Sequence, residues 1–174
     1  MPFEKSAVLA GLPLFFGGIG CFVGGWLARR LALGGMRVAA ARRWVAGVGI
    51  ASAGLLLLVV PTVQNATLAI VVLGMASFGN DLSMASAWGA CMDVGGRNAG
   101  SLSGSMNMMG NLGGAVGPVV VGYILDHGRP AVGALPSLES WTTAFMVAAA
   151  IYGVGALAWI FLDPVTPMDS DKAR

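Results

Sequence analysis

The chain has 174 residues, 56% of them hydrophobic and only 10% charged, with 27 glycines and a formal net charge of +2; its mean hydropathy is +0.78. A soluble domain carries about 25% charged residues, so this composition cannot furnish a water-facing surface. It excludes an intrinsically disordered chain, a disulfide-stapled secreted module and a nucleic-acid binder, and leaves an integral membrane protein.

Residues 6–28, 44–80, 98–125 and 140–162 contain no Asp, Glu, Lys or Arg, and a spanning helix needs about 20 predominantly apolar residues. The second stretch runs on past Asp81 and is too long for one crossing. Pro61, Thr62, Gln64 and Asn65 break it, which predicts two helices with a polar turn between them. The expectation is an all-α, multi-spanning protein with five transmembrane helices near 7–28, 42–60, 66–91, 99–125 and 140–161.

The first span ends in positive charge instead of beginning with it, the reverse of a secretory signal peptide. Arg29, Arg30, Arg37, Arg42 and Arg43 place the loop that follows on the cytoplasmic side. Alternation then puts the loop around Gln64 outside, Asp93 and Arg97 inside, 126–139 outside, and the tail with Asp169, Asp171, Lys172 and Arg174 inside. The N-terminus, with Glu4 and Lys5, is outside. Eight of the ten Lys and Arg residues fall on the inner side under this assignment.

Glycines at four-residue spacing lie on one helical face and let backbones approach. In the first span these are Gly20 and Gly24. In the fourth they are the pairs Gly100 and Gly104, Gly110 and Gly114, Gly113 and Gly117. With Pro118 and two asparagines added, the fourth helix is expected to pack on several sides or to border a water-filled cavity. Polar residues at membrane depth are functional candidates by default. Asp81 is such a carboxylate in the third span, with Ser77, Ala85 and Trp88 on its face. It is expected to be buried and to carry a coupling proton or a hydrogen-bonded partner, with Asn80 pointing elsewhere and the asparagines of the fourth span within reach. Asn107 and Asn111 lie one turn apart and offer amide donors and acceptors to a hydroxylated ligand. Cys21 and Cys91 read as small buried side chains, Met106, Met108 and Met109 as gap-fillers, and His127 has no second ligand nearby to make a metal site. No HExxH, GxSxG or phosphate-loop pattern is present, and Asp81 lacks the second carboxylate of an intramembrane aspartyl protease. No enzyme activity, cofactor or metal is expected.

The helix ending Gly24-Gly25-Trp26-Leu27-Ala28-Arg29-Arg30, the arginine-rich loop, and Ser77-Phe78-Gly79-Asn80-Asp81 with Trp88 together resemble the second half of a major facilitator superfamily transporter. The run Asp93-Val94-Gly95-Gly96-Arg97, through Gly100, Ser103-Gly104, Asn107 and Gly110-Asn111-Leu112-Gly113-Gly114 to Pro118 and Gly122, is similar to that superfamily's anion:cation symporter family. That family includes hexuronate, galactonate and glucarate importers and vesicular glutamate and phosphate carriers. The resemblance implies that the five spans are helices 8 to 12 of the fold, so that the chain is the C-terminal part of a transporter. The N-terminal half would be its partner, together with the lipid bilayer, a small organic anion as substrate and a coupling proton or cation. It assigns substrate contact to Trp88, Asn107, Ser86 and Asn111. It also implies an inner gate in which Asp93 pairs with a basic residue of the 29–43 loop, such as Arg29 or Arg30, or with Arg97. Arg29 stands where the family's inner-loop signature has an aspartate, so the usual local pair cannot form. A plasma-membrane location follows. The other readings are a non-transporting membrane subunit that packs through its glycine stripes and, more distantly, an intramembrane enzyme.

Overall fold

The computed structural model describes residues 3–129 and 135–168. The described residues form helices α1 (Phe3–Leu33), α2 (Val38–Val59), α3 (Ala66–Leu82), α4 (Met84–Gly95), α5 (Ala99–His127) and α6 (Leu138–Phe161), with 3-10 turns at Val60–Thr62 and Gly96–Asn98. The tail charges Asp169, Asp171, Lys172 and Arg174 lie outside the described residues.

Each helix ends where local chemistry dictates. α1 runs five residues past the expected end and stops at Gly35, which takes φ +96°, while the Gly34 and Met36 amides donate to Arg30 and Leu31 carbonyls at 3.0 and 3.1 Å. A left-handed residue at this place closes a helix, and glycine adopts it without steric cost. Pro61 in the turn after α2 terminates that helix. The Asn65 side chain then caps α3 by accepting the Leu68 amide at 3.1 Å. Ser137 caps α6 in the same way through the Ser140 amide at 3.2 Å.

The third expected span differs from a single uniform helix. Ser83 donates its hydroxyl to the Asn80 carbonyl at 2.7 Å, and its amide turns to the same oxygen at 3.1 Å. This i−3 bonding tightens one turn and separates α3 from α4. α4 then continues to Gly95, four residues past the expected end, so Asp93 stands inside the helix. Gly96, at φ +48°, reverses the chain into α5.

Four stretches of the described residues are long and apolar enough to cross a membrane: Leu9–Leu33, Val38–Thr62, Ala66–His127 and Leu138–Phe161. The five expected spans therefore appear as four, because α3, α4 and α5 form one continuous apolar stretch of 62 residues. Large apolar side chains such as Leu14, Phe22, Val119 and Phe161 are exposed. A soluble protein rarely presents so much apolar surface.

α3 is held between α1 and α2, α2 also packs on α6, and α4 pairs with α5. The α1–α3 contact is a backbone contact: a Cβ on Gly20 would overlap the Phe78 carbonyl, and one on Gly24 the Leu82 carbonyl. The Gly20 and Gly24 stripe thus does what its spacing predicts. α5 behaves otherwise. It packs on α4 and α6, but among the described residues a Cβ on any of Gly100, Gly104, Gly110, Gly113, Gly114, Gly117 or Gly122 would meet nothing within 4 Å, so these glycines do not serve helix packing here.

Candidate functional site

Two polar constellations stand out from the apolar bundle. The first surrounds Asp81. The Asn80 side chain donates to Asp81 Oδ1 at 2.7 Å, and the Tyr152 hydroxyl of α6 donates to Asn80 Oδ1 at 3.1 Å. The carboxylate rests against Gly17 of α1, where a Cβ would overlap Asp81 Oδ2 and crowd Ser77 Oγ. A relay of Tyr152, Asn80 and Asp81 thereby ties α6, α3 and α1 together. This corrects the expectation for Asn80, which points at the carboxylate and not away from it. It also corrects the expectation for the α5 asparagines: α3 and α5 do not pack on one another, so Asn107 and Asn111 do not reach Asp81. Tyr152 was missed in the sequence. A phenol inside an apolar span needs a partner for its O–H, and that was the available signal.

Around α4 and α5 the expected substrate residues divide. Ser86 is 1% exposed, and its Oγ, like that of Ser103, has no hydrogen-bond partner. A small side chain at a helix-packing position is covered by its neighbours, so Ser86 does not face a cavity. Trp88 is 40% exposed, and Asn107 and Asn111 are exposed on α5. Cys91 Sγ contacts Met106 Sδ at 3.3 Å, which sets the register of α4 on α5. Trp88 lies one turn before that contact and Asn107 one residue after it on the facing helix. Met106 fills a gap as expected, but Met108 and Met109 are exposed. Cys91 is buried and Cys21 is exposed, so the expectation of two buried thiols fails for Cys21. His127 bonds the Tyr123 carbonyl through Nδ1 at 3.0 Å, and no group of three metal-ligating side chains occurs among the described residues.

The second constellation closes the arginine-rich end. Arg42 Nη1 pairs with Asp93 Oδ2 at 2.7 Å and donates to the Pro164 carbonyl at 2.8 Å. Arg43 Nε donates to the Leu162 carbonyl at 2.6 Å. The Met168 amide donates to the Val94 carbonyl at 2.9 Å. Residues 162–168 therefore form a strap across the ends of α2 and α4, with the Pro164 side chain of the strap fully buried. Asp163 shapes the strap by accepting Thr166 Oγ1 at 2.7 Å and the Val165 amide at 3.1 Å. The Thr166 hydroxyl first, then the Val165 amide, hold its carboxyl below the usual value of 3.8. Asp93 thus meets a basic residue of the 29–43 loop, and that residue is Arg42. Arg29 and Arg97 are exposed and form no ion pair with it, and Arg30 lies over the Trp26 ring at 5.3 Å.

A sequence model of the Major Facilitator Superfamily matches residues 1–118 of this bundle. The chain belongs to the Major Facilitator Superfamily. Members of this superfamily are transporters and not enzymes. Over 98% of its length the chain is 31% identical to the probable sulfoacetate transporter SauU of Cupriavidus necator, covering 37% of that protein. It is 28% identical over 89% of its length to the chloroplastic ascorbate transporter of Arabidopsis thaliana, covering 27% of it. It is 26% identical over 91% of its length to the probable L-galactonate transporter of Escherichia coli, covering 33% of it. The chain thus spans 27–37% of the length of these curated relatives. It is a multi-pass membrane protein of this superfamily.

Proposed function

We propose that this chain is the C-terminal part of a transporter that carries a small organic anion across the plasma membrane in symport with a proton or another cation. The observation that carries the reading is the bare polar face of α5, where Asn107, Asn111 and five glycines lie exposed and a Cβ on any of those glycines would meet no other described residue within 4 Å. Such a face is costly in lipid and is kept where it borders protein or a water-filled pathway. In transporters of this architecture, substrate sites lie near the midplane between two halves that rock about it. The relatives' named substrates, sulfoacetate, ascorbate and L-galactonate, agree with amide donors aimed at a hydroxylated or carboxylated ligand.

In this reading α3 with α4 makes one crossing and α5 another. At 1.5 Å per residue the stretch from Ala66 to His127 would measure roughly 90 Å as one rod, about three times the hydrocarbon core, and Gly96 reverses it partway. The spans are then helices 8 to 12, with the arginine-rich end in the cytoplasm. Trp88, Asn107 and Asn111 contact substrate. Asp81, hydrogen-bonded through Asn80 to Tyr152, carries the coupling proton, and the Arg42–Asp93 pair closes the inner gate.

The test is uptake into proteoliposomes by the transporter that contains this chain, with sulfoacetate and L-galactonate as probes. Asp81→Asn is expected to abolish uphill uptake while exchange of bound substrate continues. Retained uphill uptake removes the coupling role. Unchanged kinetics for Asn107→Leu, where loss of a buried polar partner should cost about 1–3 kcal/mol, remove the substrate assignment.

A further inference from the structure

Between α2 and α6, next to the strap that Arg43 holds at Leu162, lies a groove of about 840 Å³, within the range of sites that hold small molecules. Gly47, Ala51, Gly153, Trp44 and Leu157 are among the residues that line it. Arg43 stands at one end as the only charged residue of the lining. Trp44 and Leu157 are exposed, so the groove is open along its length.

Three features fix what would fill it. Its lining on α2 runs from Ala40 to Ala51, a rise of about 16 Å, which is close to half of a ~30 Å hydrocarbon core and hence to one leaflet. Below the arginine the lining is apolar, as an acyl chain requires. At the mouth, Arg43 spends Nε on the Leu162 carbonyl and leaves Nη1 and Nη2 for an anionic oxygen. The Asp163 carboxylate adds some opposing charge, but its oxygens are taken by Val165 and Thr166. Among the described residues it forms no ion pair with Arg43. Trp44, next in sequence, supplies the indole that favours the interfacial level of a membrane. A protein partner would be expected on the polar glycine face of α5; this groove offers instead a cation above hydrocarbon.

We infer that the α2–α6 groove is a binding site for an anionic diacyl phospholipid of the leaflet on the arginine-rich side, one acyl chain lying along Gly47 and Ala51 and the headgroup phosphate held by Arg43. The site is independent of the transport reading, since it needs only that the bundle stands in a bilayer.

The full chain is reconstituted in vesicles of phosphatidylglycerol and phosphatidylcholine, extracted in mild detergent, and its retained lipid is quantified by mass spectrometry. Phosphatidylglycerol should be enriched about fivefold over its share of the vesicle, the effect of one arginine near a headgroup. Arg43→Gln should remove the enrichment. Gly47→Leu, which fills the groove, should lower retention of both lipids. Arg29→Gln changes the net charge equally on α1 and should leave retention as it is. Helical content by circular dichroism identifies any variant that fails to fold, and Ala51→Leu then replaces Gly47→Leu as the groove-filling change. The inference is overturned if the parent shows no enrichment, if enrichment survives Arg43→Gln, or if Arg29→Gln removes it as fully. It is overturned too if two copies carrying Trp44→Cys crosslink through that position in high yield, which would make the groove a self-association surface.

Discussion

Gly20→Ala is the most direct perturbation of the bundle, because it sets two known effects against each other at one atom. In a helix interior, alanine is favoured over glycine by about 1 kcal/mol. At position 20 the added methyl overlaps the Phe78 carbonyl, a backbone group that cannot rotate out of the way. α1 and α3 must separate, and overpacking of that kind costs about 1–3 kcal/mol, more where nothing can yield. We predict a net loss of roughly 1–2 kcal/mol. Gly11→Ala is the control, since a Cβ there meets nothing within 4 Å, and it should gain slightly. Gly24 presses on the Leu82 carbonyl one turn along the same seam. Once the helices have moved apart for the first methyl, the second costs less, so Gly20→Ala combined with Gly24→Ala should fall short of additivity. Stability is read from helical circular dichroism during titration with a denaturing detergent. Equal midpoints for Gly20→Ala and Gly11→Ala would show that α1 and α3 are not in backbone contact, and the close approach would have to be abandoned.

Tyr152→Phe removes the donor to Asn80 Oδ1 and should cost about 1 kcal/mol in the same titration; no loss would mean that water serves Asn80 equally well. Arg42→Gln cuts the tie to Asp93 and weakens that to Pro164. The pair is partly exposed, so the stability change should stay within about 1 kcal/mol, while protease cleavage of residues 162–168 accelerates; an unchanged cleavage rate would refute the strap. Asp163 gives a pH dependence. Its carboxyl titrates below 3.8 in the folded strap, so its stabilising bonds are complete above that value and are lost as the pH falls through the lowered one. Amide exchange at Val165 and Thr166 should therefore stay protected at pH 4 and rise only in stronger acid, a shift that Asp163→Asn abolishes.

Much of the helical plan was legible because charge is so sparse. The gaps between Arg43, Asp81, Arg97 and Glu139 mark out the apolar segments, and Pro61 and Asn65 mark where one helix stops and the next starts. The Gly20 and Gly24 seam followed from spacing alone. That Asp93 would meet an arginine followed from sign; that it would be Arg42 depended on which face of α2 turns toward α4, a tertiary fact. The Tyr152–Asn80 contact spans 72 positions and has no local periodicity to betray it. The tightened turn at Ser83 was hidden because serine mid-helix is compatible with an unbroken rod. The resemblance alone places Ser86 among the substrate residues, and its burial to 1% exposure is a tertiary fact with no local signal.

The strap also bears on how the protein is assembled. Arg42 leaves the ribosome 122 residues before Pro164, and Arg43 119 residues before Leu162, whose carbonyls they finally hold. In the proposed orientation, the guanidiniums first serve as topological signals that keep their loop from being translocated. When α6 is inserted, the same two side chains change task and become the anchors of its trailing segment. Such distant contacts close slowly, so the arginine-rich end is expected to be the last part of the bundle to mature, and a chain interrupted before residue 162 would keep its orientation while lacking its clasp.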